Sequence, residues 1–180
     1  KVAIVGESGS GKTTLAKLML GLWKPESGEV YIDGSNINDI NLQGLRNRFA
    51  YVNQNVELFS GSISDNLKIV NSNASVDKMK IALNIADASF VNKLPGGLET
   101  FLEEAGANLS GGEKQRLAIA RSLTKEFDVL IFDEATSNLD FVSERKIYNN
   151  LFNSSYKQTM IFIAHRLSSI KNSDCIFVMD

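Results

Sequence analysis

The fold is decided by the stretch Val2-Ala3-Ile4-Val5-Gly6-Glu7-Ser8-Gly9-Ser10-Gly11-Lys12-Thr13. Its four leading apolar residues predict a buried strand, and the residues from Gly6 to Thr13 fit the pattern G-x-x-x-x-G-K-[ST] at every fixed position. Glycines let such a loop fold so that successive N–H groups converge on an anion, next to the positive end of the following helix. The stretch therefore predicts a strand, a phosphate-binding loop and then a helix.

The side chains of this loop have expected tasks. Lys12 would reach the β- and γ-phosphates of a nucleotide, and the Thr13 hydroxyl would ligate Mg²⁺. A plain Gly/Ser-rich turn is the alternative, but the flanking strand and helix patterns are the setting that the motif requires. The predicted nucleotide-binding residues of the loop are Gly6, Glu7, Ser8, Gly9, Ser10, Gly11, Lys12, Thr13 and Thr14.

Apolar runs without alternation recur along the chain, which is typical of a parallel sheet covered by helices on both faces. They are Val2 to Val5, Val129 to Phe132, Ile161 to Ala164 and Ile176 to Met179, whereas Phe49 to Val52 is a short strand candidate outside this scheme. Helical patterns separate them, at Thr13 to Leu22, Leu117 to Leu123 and Val142 to Phe152. Strands that alternate with helices predict an α/β fold with a mainly parallel sheet.

The segment from about 63 to 124 has a mainly helical pattern and lacks a strong buried strand. Ser75 is the predicted N-cap of a helix in this segment, with Val76, Met79, Leu83 and Ala86 on one face. We therefore expect one domain over residues 1–180, in which a helical lobe (about 63–124) is inserted into a core (about 1–62 and 125–180).

Composition limits the classes of function. The chain has 180 residues, of which 43% are apolar, and a net charge of −2. It has neither a dense Lys/Arg block nor a basic stripe with interleaved aromatic residues, so no nucleic-acid partner is expected. Its apolar runs are far shorter than the ~20 residues of a membrane span. Cys175, the single cysteine, adjoins the last apolar run and is expected to be buried there.

Two carboxylates follow the apolar run that ends at Phe132, namely Asp133 and Glu134. Ligands of open α/β sheets bind at the carboxyl ends of the strands, so we expect both acids beside the phosphate loop. Asp133 would hold Mg²⁺, directly or through water, and Glu134 would face the water that attacks the γ-phosphorus. A solvated acidic turn is the alternative, which the presence of the phosphate loop disfavours.

A second glycine-containing motif, Leu109-Ser110-Gly111-Gly112-Glu113, comes shortly before this acidic strand. Ser110 and Glu113 have the spacing of a helix capping box, which is a structural explanation in itself. The two glycines also leave the helix N-terminus bare, so that an anion can approach its N–H groups. Since the phosphate loop already supplies one anion site, we expect this second surface to meet the nucleotide of another copy.

Taken together, these motifs resemble those of the ABC ATPases. Leu109 to Glu113 is similar to the signature L-S-G-G-[QE], and Asp133 to Asp140 is similar to the Walker B motif and D-loop. Gln54 follows a strand pattern and matches the Q-loop glutamine of the family. His165, the only histidine, follows Ile161 to Ala164, where the family has its switch histidine.

The resemblance implies a P-loop NTPase fold with a RecA-like core, and ATP and Mg²⁺ as ligands. Glu134 and His165 would be the catalytic residues, and Thr13, Gln54 and Asp133 would lie at the metal. Gln54 would also sense the γ-phosphate.

The resemblance also implies two partners. Ser110, Gly111 and Gly112 would bind the nucleotide held by a second ATPase domain in a head-to-tail dimer. The other partner would be the transmembrane domain of a transporter, with this chain at the cytoplasmic face of the membrane.

The subtype is predicted by two further segments. Leu58 to Ile63, followed by Asp65-Asn66-Leu67, is similar to the Q-loop continuation of exporters, whose ATPase domain is usually fused to membrane helices. Glu104 resembles the acidic position of the exporter loop before the signature, although Glu103 stands where that loop usually has glycine. A non-transport ABC ATPase is the alternative, but such relatives carry a long coiled coil or a tandem domain. A P-loop kinase would not need the signature segment.

Family members have an antiparallel sheet region ahead of the phosphate loop, with an aromatic residue that stacks on adenine. Lys1 is followed at once by the first strand pattern, so we expect most of that region to lie upstream, in a longer protein. The last apolar run ends at Met179, one residue before the chain does, and is likewise expected to continue. No residue is assigned to adenine stacking.

Overall fold

The computed structural model describes residues 1–154, 156–164 and 167–180. It contains two compact units, each built from segments distant in sequence. The first, here called the sheet unit, comprises Lys1–Tyr51, Phe127–Asp133 and Gln158–Asp180. The second, the helical unit, comprises Val52–Glu126 and Glu134–Lys157. The division into a core and an inserted lobe at about 63–124 stays a prediction.

Strands and longer helices follow one another along the chain as β1 (Val2–Gly6), α1 (Lys12–Met19), β2 (Tyr31–Ile32), β3 (Ser35–Asn36), α2 (Leu42–Asn47), β4 (Phe49–Val52), β5 (Gly61–Ser62), α3 (Ile63–Lys68), α4 (Val76–Ile85), β6 (Phe101–Leu102), α5 (Gly111–Thr124), β7 (Val129–Asp133), α6 (Phe141–Phe152), β8 (Thr159–Ile163), α7 (Leu167–Ile170) and β9 (Cys175–Met179). Short 3₁₀ turns lie at Ile37–Asp39, Ser89–Lys93, Gly97–Glu99 and Glu104–Gly106. None of the helices in the described residues has the length and hydropathy needed to cross a membrane.

A five-stranded sheet with the order β4-β7-β8-β1-β9 is the centre of the sheet unit. β1 pairs in parallel with both β8 and β9, and β7 pairs in parallel with β8. The mainly parallel α/β sheet expected from the sequence is thereby confirmed. In this order β1 and β7 run in the same direction. The phosphate loop and Asp133 therefore both lie at the carboxyl ends of the strands.

Helix α1 covers one face of this sheet through a buried apolar cluster. The cluster takes Ile4 from β1, Ala16 from α1, Leu20 directly after α1, Ile131 from β7 and Ile163 from β8. The burial of such side chains contributes roughly 25 cal/mol for each Å² removed from water. This packing fixes the start of α1, and with it the loop between β1 and α1.

The side chains of β9 are more exposed than its apolar sequence predicts. The strand lies at the edge of the sheet, and Phe177 and Val178 are 57% and 71% exposed. Cys175 is exposed as well, so the prediction of a buried cysteine is wrong. A continuous apolar run is typical of a parallel strand, but it does not distinguish an edge strand from a central one.

In the helical unit, α5 packs against α3 and α4, and side chains from α6 bond to the end of α4. Ser75 caps α4 by accepting a hydrogen bond from the Lys78 N–H, as predicted. Met79 and Leu83 of α4 are buried, whereas Val76 is 51% exposed. The expected apolar face of this helix is therefore correct except in its first turn.

The C-terminal end of α4 is tied to α6 by polar contacts. Asn150 Nδ2 donates to the carbonyl oxygens of Asn84 and Ile85, at 3.2 and 3.1 Å. Lys146 Nζ lies 2.5 Å from Asp87 Oδ1, directly beyond that helix end. The bonds of Asn150 give carbonyls of the last helical turn a side-chain donor, in the region where a helix leaves carbonyls without intrahelical partners. They explain why 134–157 forms one compact unit with the helices before it.

Gly6 is the tightest point of the sheet unit. It pairs with Met179 across β1 and β9, and a Cβ atom built on Gly6 would lie only 2.2 Å from the Met179 carbonyl oxygen. That oxygen is backbone of a neighbouring strand and has little freedom to move. Glycine is therefore required here by the sheet, independently of any ligand.

We expect Gly6→Ala to destabilise the chain by about 2 kcal/mol or more, because the methyl group overlaps a fixed backbone atom. For a chain of this size this lowers the melting temperature by roughly 4 °C or more, measured by calorimetry. Gly44→Ala is the matched control: Gly44 lies inside helix α2, and outside its chain neighbours and that helix's backbone the nearest atom to its Cβ would be 3.7 Å away. It should be neutral or stabilising by up to about 1 kcal/mol. Equal melting temperatures for Gly6→Ala and the unaltered chain would contradict the steric explanation.

Candidate functional site

The phosphate-loop motif joins β1 to α1, as the sequence predicts. Gly11 is the N-cap of α1 with a φ of +93°, a conformation that residues with side chains rarely adopt. No side chain caps this helix within the described residues. The first-turn N–H groups of α1 are consequently available to an anion at the end of the helix that carries positive partial charge.

Lys12 lies inside the loop, and only 4% of it is exposed. Its Nζ donates to the carbonyl oxygens of Gly6 and Glu7, at 3.0 and 2.7 Å. An ammonium group has three donors, so these bonds leave one for a further acceptor. Both acceptors are neutral, and a buried positive charge with neutral partners favours an anion beside it.

A hydroxyl and a carboxylate meet below the loop. Thr13 Oγ1 donates to Asp133 Oδ1 at 3.1 Å, although the two residues lie 120 positions apart. Asp133 is almost fully buried at the end of β7, with 3% of it exposed. This is the pair of oxygen ligands that the sequence predicts for a hard cation.

Tyr51 completes this group from the neighbouring strand β4, and was not among the predicted site residues. Its hydroxyl donates to Asp133 Oδ2 at 2.9 Å. Burial raises the pKa of the Tyr51 phenol, and the negative charge of Asp133 and their hydrogen bond raise it further. The phenol therefore stays protonated and remains a donor to the carboxylate.

The loop also contains a polar atom without a partner. Ser10 Oγ is buried and makes no hydrogen bond to any described residue. An unsatisfied buried hydroxyl costs about 1–3 kcal/mol. A ligand rich in oxygen atoms would satisfy it. Ser8, Gly9 and Thr14 have more exposed positions.

The signature-like motif begins helix α5 in the helical unit. Ser110 Oγ accepts from the Glu113 N–H, and Glu113 Oε2 accepts from the Ser110 N–H at 2.9 Å. The hydrogen bond from the Ser110 hydroxyl lowers the pKa of Glu113. The capping box expected from the sequence is thus present.

Gly111 has a different significance. Apart from its chain neighbours and the backbone of its own helix, no atom of the described residues lies within 4 Å of a Cβ atom built on Gly111. Packing inside the chain therefore does not require a glycine at this position. The absence of a side chain leaves the backbone at the start of α5 accessible, and Ser110 and Gly111 are both exposed.

Three predicted site residues remain, namely Glu134, Gln54 and His165. Glu134 is the first residue after β7 and has a φ of +49°, in the left-handed region. Such backbone is uncommon for residues other than glycine and is concentrated at functional sites. Gln54 is exposed, just beyond the end of β4. His165 lies outside the described residues.

Gln115 and Asn138 are further residues that the motifs did not select. Gln115 is fully buried on α5; its Nε2 donates to the Ala135 carbonyl oxygen, and its Oε1 accepts from Asn138 Nδ2 at 3.0 Å. A signal for Gln115 exists in the sequence. It occupies the same helix face as the buried Ile119 and Leu123, where a polar residue needs a partner.

Comparison with known proteins identifies the family. The model of the ABC transporter family matches residues 1–137. The chain belongs to this family. The resemblance drawn from the motifs is thereby confirmed.

Relatives match nearly the whole chain. An ATP-dependent lipid A-core flippase from Chromobacterium violaceum is 49% identical over 99% of this chain, which corresponds to 31% of the flippase. ABC transporter B family member 21 from Arabidopsis thaliana is 44% identical over 99% of this chain and 14% of its own length. A bacterial Atm1-family ABC exporter, solved with ATP bound, superposes with a TM-score of 0.93 at 42% identity. The chain spans 32% of that exporter, so it corresponds to less than a third of these proteins.

The capping box generates a prediction about acid stability. The pKa of Glu113 is lowered in the folded chain, so its contribution is present above the ordinary glutamate pKa of 4.5 and is lost as the pH falls through the lowered value. We expect Glu113→Ala to destabilise the chain by about 0.3–1 kcal/mol at pH 7, and by less at pH 3. Denaturant unfolding at the two pH values measures this. Glu113→Gln is the control, since its amide oxygen can still accept the hydrogen bonds. A destabilisation by Glu113→Ala that is larger at pH 3 than at pH 7 would contradict the assignment.

Proposed function

We propose that this chain is the nucleotide-binding domain of an ABC exporter and hydrolyses ATP to drive transport across a membrane. The observation that carries the proposal is the contact of Thr13 with Asp133 below a loop that buries Lys12. A hydroxyl, a carboxylate and an ammonium group, placed around open helix N–H groups, are what a metal-bound triphosphate requires. The relatives named as an ATP-dependent flippase and an exporter with ATP bound support this function.

The residues below the loop fit Mg²⁺. This ion is usually bound by one or two carboxylates together with phosphate oxygens and retained waters. Thr13 and Asp133 would hold it, with Gln54 as the further ligand implied by the family. Bound there, Mg²⁺ would neutralise charge on the β- and γ-phosphate oxygens.

The chain's own residues have different roles in the proposed reaction. Lys12 and the N–H groups of Gly9 to Thr14 bind and orient the phosphates. Glu134 accepts the hydrogen bond of the attacking water and aligns it with the γ-phosphorus, and His165 holds the γ-phosphate. Hydrolysis of this kind depends mainly on positioning and charge stabilisation.

A second copy or a related ATPase domain completes the site in this proposal. Ser110, Gly111 and Gly112 would contact the γ-phosphate held by the partner's phosphate loop, head to tail. The open space above Gly111 supports this, because no packing requirement within the described residues explains a glycine there. A transmembrane domain is the other proposed partner, at the cytoplasmic face of the membrane.

We expect Glu134→Gln in the full-length protein to leave ATP binding intact and to lower turnover by at least roughly 100-fold, the usual contribution of a group that positions or deprotonates water. Nucleotide binding is measured with a fluorescent ATP analogue and turnover by phosphate release. Glu126→Gln is the matched control, because the Glu126 side chain is 91% exposed. Unchanged turnover in Glu134→Gln would refute the role of Glu134. ATP turnover that no membrane substrate stimulates would instead favour a non-transport ABC ATPase.

Tyr51→Phe tests the metal site by removing one hydroxyl group. We expect the affinity for Mn²⁺ in the presence of ATP, followed by electron paramagnetic resonance, to fall about 10-fold, because the orientation of Asp133 is less restricted. Binding of ATP in the presence of a chelator should not change. Tyr31→Phe, at a side chain that is 59% exposed, is the control. Equal Mn²⁺ affinities in the two variants would exclude a role of Tyr51 at the metal.

A further inference from the structure

Gln115 connects two parts of the helical unit that have different roles in the proposed function. It lies in the second turn of α5, five residues after Ser110. Its side-chain amide reaches the loop between Glu134 and Asp140, where it donates to the Ala135 carbonyl oxygen and accepts from Asn138 Nδ2 at 3.0 Å. One side chain thus bonds the helix of the signature to the loop that follows the catalytic carboxylate.

The environment of Gln115 makes this connection rigid. The residue has no exposed surface, so water cannot replace either partner. Both polar atoms of the amide are used, and rotation by 180° would set its oxygen against the Ala135 carbonyl oxygen. Gln115 therefore has one orientation that satisfies it, and this orientation specifies the position of the loop.

The loop itself is tightly folded, so that a change in its position also moves the residues at both of its ends. The Ser137 N–H donates to the Glu134 carbonyl oxygen at 3.1 Å, and the Leu139 N–H donates to the Thr136 carbonyl oxygen at 3.0 Å. Asp140 then caps α6 by accepting from the Ser143 N–H at 3.0 Å. A displacement of the loop relative to α5 would thus move the backbone of Glu134.

A second contact joins the same two parts. The Leu139 side chain faces Gly112, whose Cβ atom would lie 3.4 Å from Leu139 Cδ2. The loop consequently packs on the signature motif itself, in addition to the amide of Gln115. Polar and apolar contacts together favour movement of the motif and the loop as one body.

We propose that Gln115 is a positioning residue that couples Ser110–Gly112 to Glu134. The proposal rests on the proposed function, in which Ser110–Gly112 engage the nucleotide of the partner. Engagement of the partner's γ-phosphate then sets the position of Glu134, which acts on the chain's own nucleotide. Gln115 thereby makes hydrolysis at one site depend on occupancy of the other.

The test uses turnover, nucleotide binding and unfolding temperature of the full-length protein in three variants. Gln115→Met keeps the length of the side chain and removes both hydrogen bonds, whereas Asn138→Ala removes one of them at an exposed position where misfolding is not expected. Asn149→Ala is the matched control, an exposed asparagine on α6 of the same unit. We expect turnover to fall roughly 3- to 10-fold in Asn138→Ala and about 10-fold or more in Gln115→Met, the range of a lost buried hydrogen bond. ATP binding should not change in any of the three variants. Turnover should not change in Asn149→Ala.

Two double variants separate positioning from a purely structural role. In the Gln115→Met background, Asn138→Ala should have no further effect on turnover, since its partner is already absent. The effects of Ser110→Ala and Asn138→Ala should also be non-additive, because both act through the same movement. Multiplicative effects of these two substitutions, or a lower unfolding temperature with normal turnover per folded protein, would overturn the proposal.

The outcome can be distinguished from a failure of the proposed function. If Glu134→Gln stops turnover but Asn138→Ala and Gln115→Met behave like Asn149→Ala, the coupling role of Gln115 is refuted and the ATPase assignment stands. If Glu134→Gln has no effect on turnover, the proposed function fails, and the role of Gln115 is overturned with it.

Discussion

One hydrogen bond, from the Thr13 hydroxyl to the Asp133 carboxylate, depends on nearly everything else in the sheet unit. It exists because a parallel sheet aligns the carboxyl ends of β1 and β7, although 120 residues separate the two side chains. The apolar cluster below α1 holds Thr13 on one side, and the register of β7 with β8 holds Asp133 on the other. The order of the strands is thus what brings the two residues of the site together.

The parts that the sequence predicts are those with a local cause. The loop from Gly6 to Thr13 has a fixed spacing between a strand and a helix, and the capping box of Ser110 and Glu113 spans only a single turn. Both depend on neighbours within a few residues along the chain. The strand that ends at Asp133 is equally clear, since its apolar run stops at the carboxylate.

What escaped prediction depends on contacts between elements. Tyr51 acts on Asp133 only because β4 lies next to β7, and the order of strands is not written in the residues of β4. Gln115 needs the loop after Glu134 to pass over α5. Cys175 and Val76 were expected to be buried, but an apolar residue cannot indicate whether its strand is at an edge or whether its helix turn is covered.

The backbone at Glu134 unites these observations. Its left-handed conformation costs about 1–3 kcal/mol for a residue other than glycine, so the surrounding bonds must hold it in place. The turn closed by the Ser137 N–H and the anchoring of Ala135 by Gln115 do so. Asp133 and Glu134 are successive residues, yet the first packs with the sheet unit and the second with the helical unit. In the proposed function, the position of the water-binding carboxylate of Glu134 is therefore set by these bonds within the helical unit.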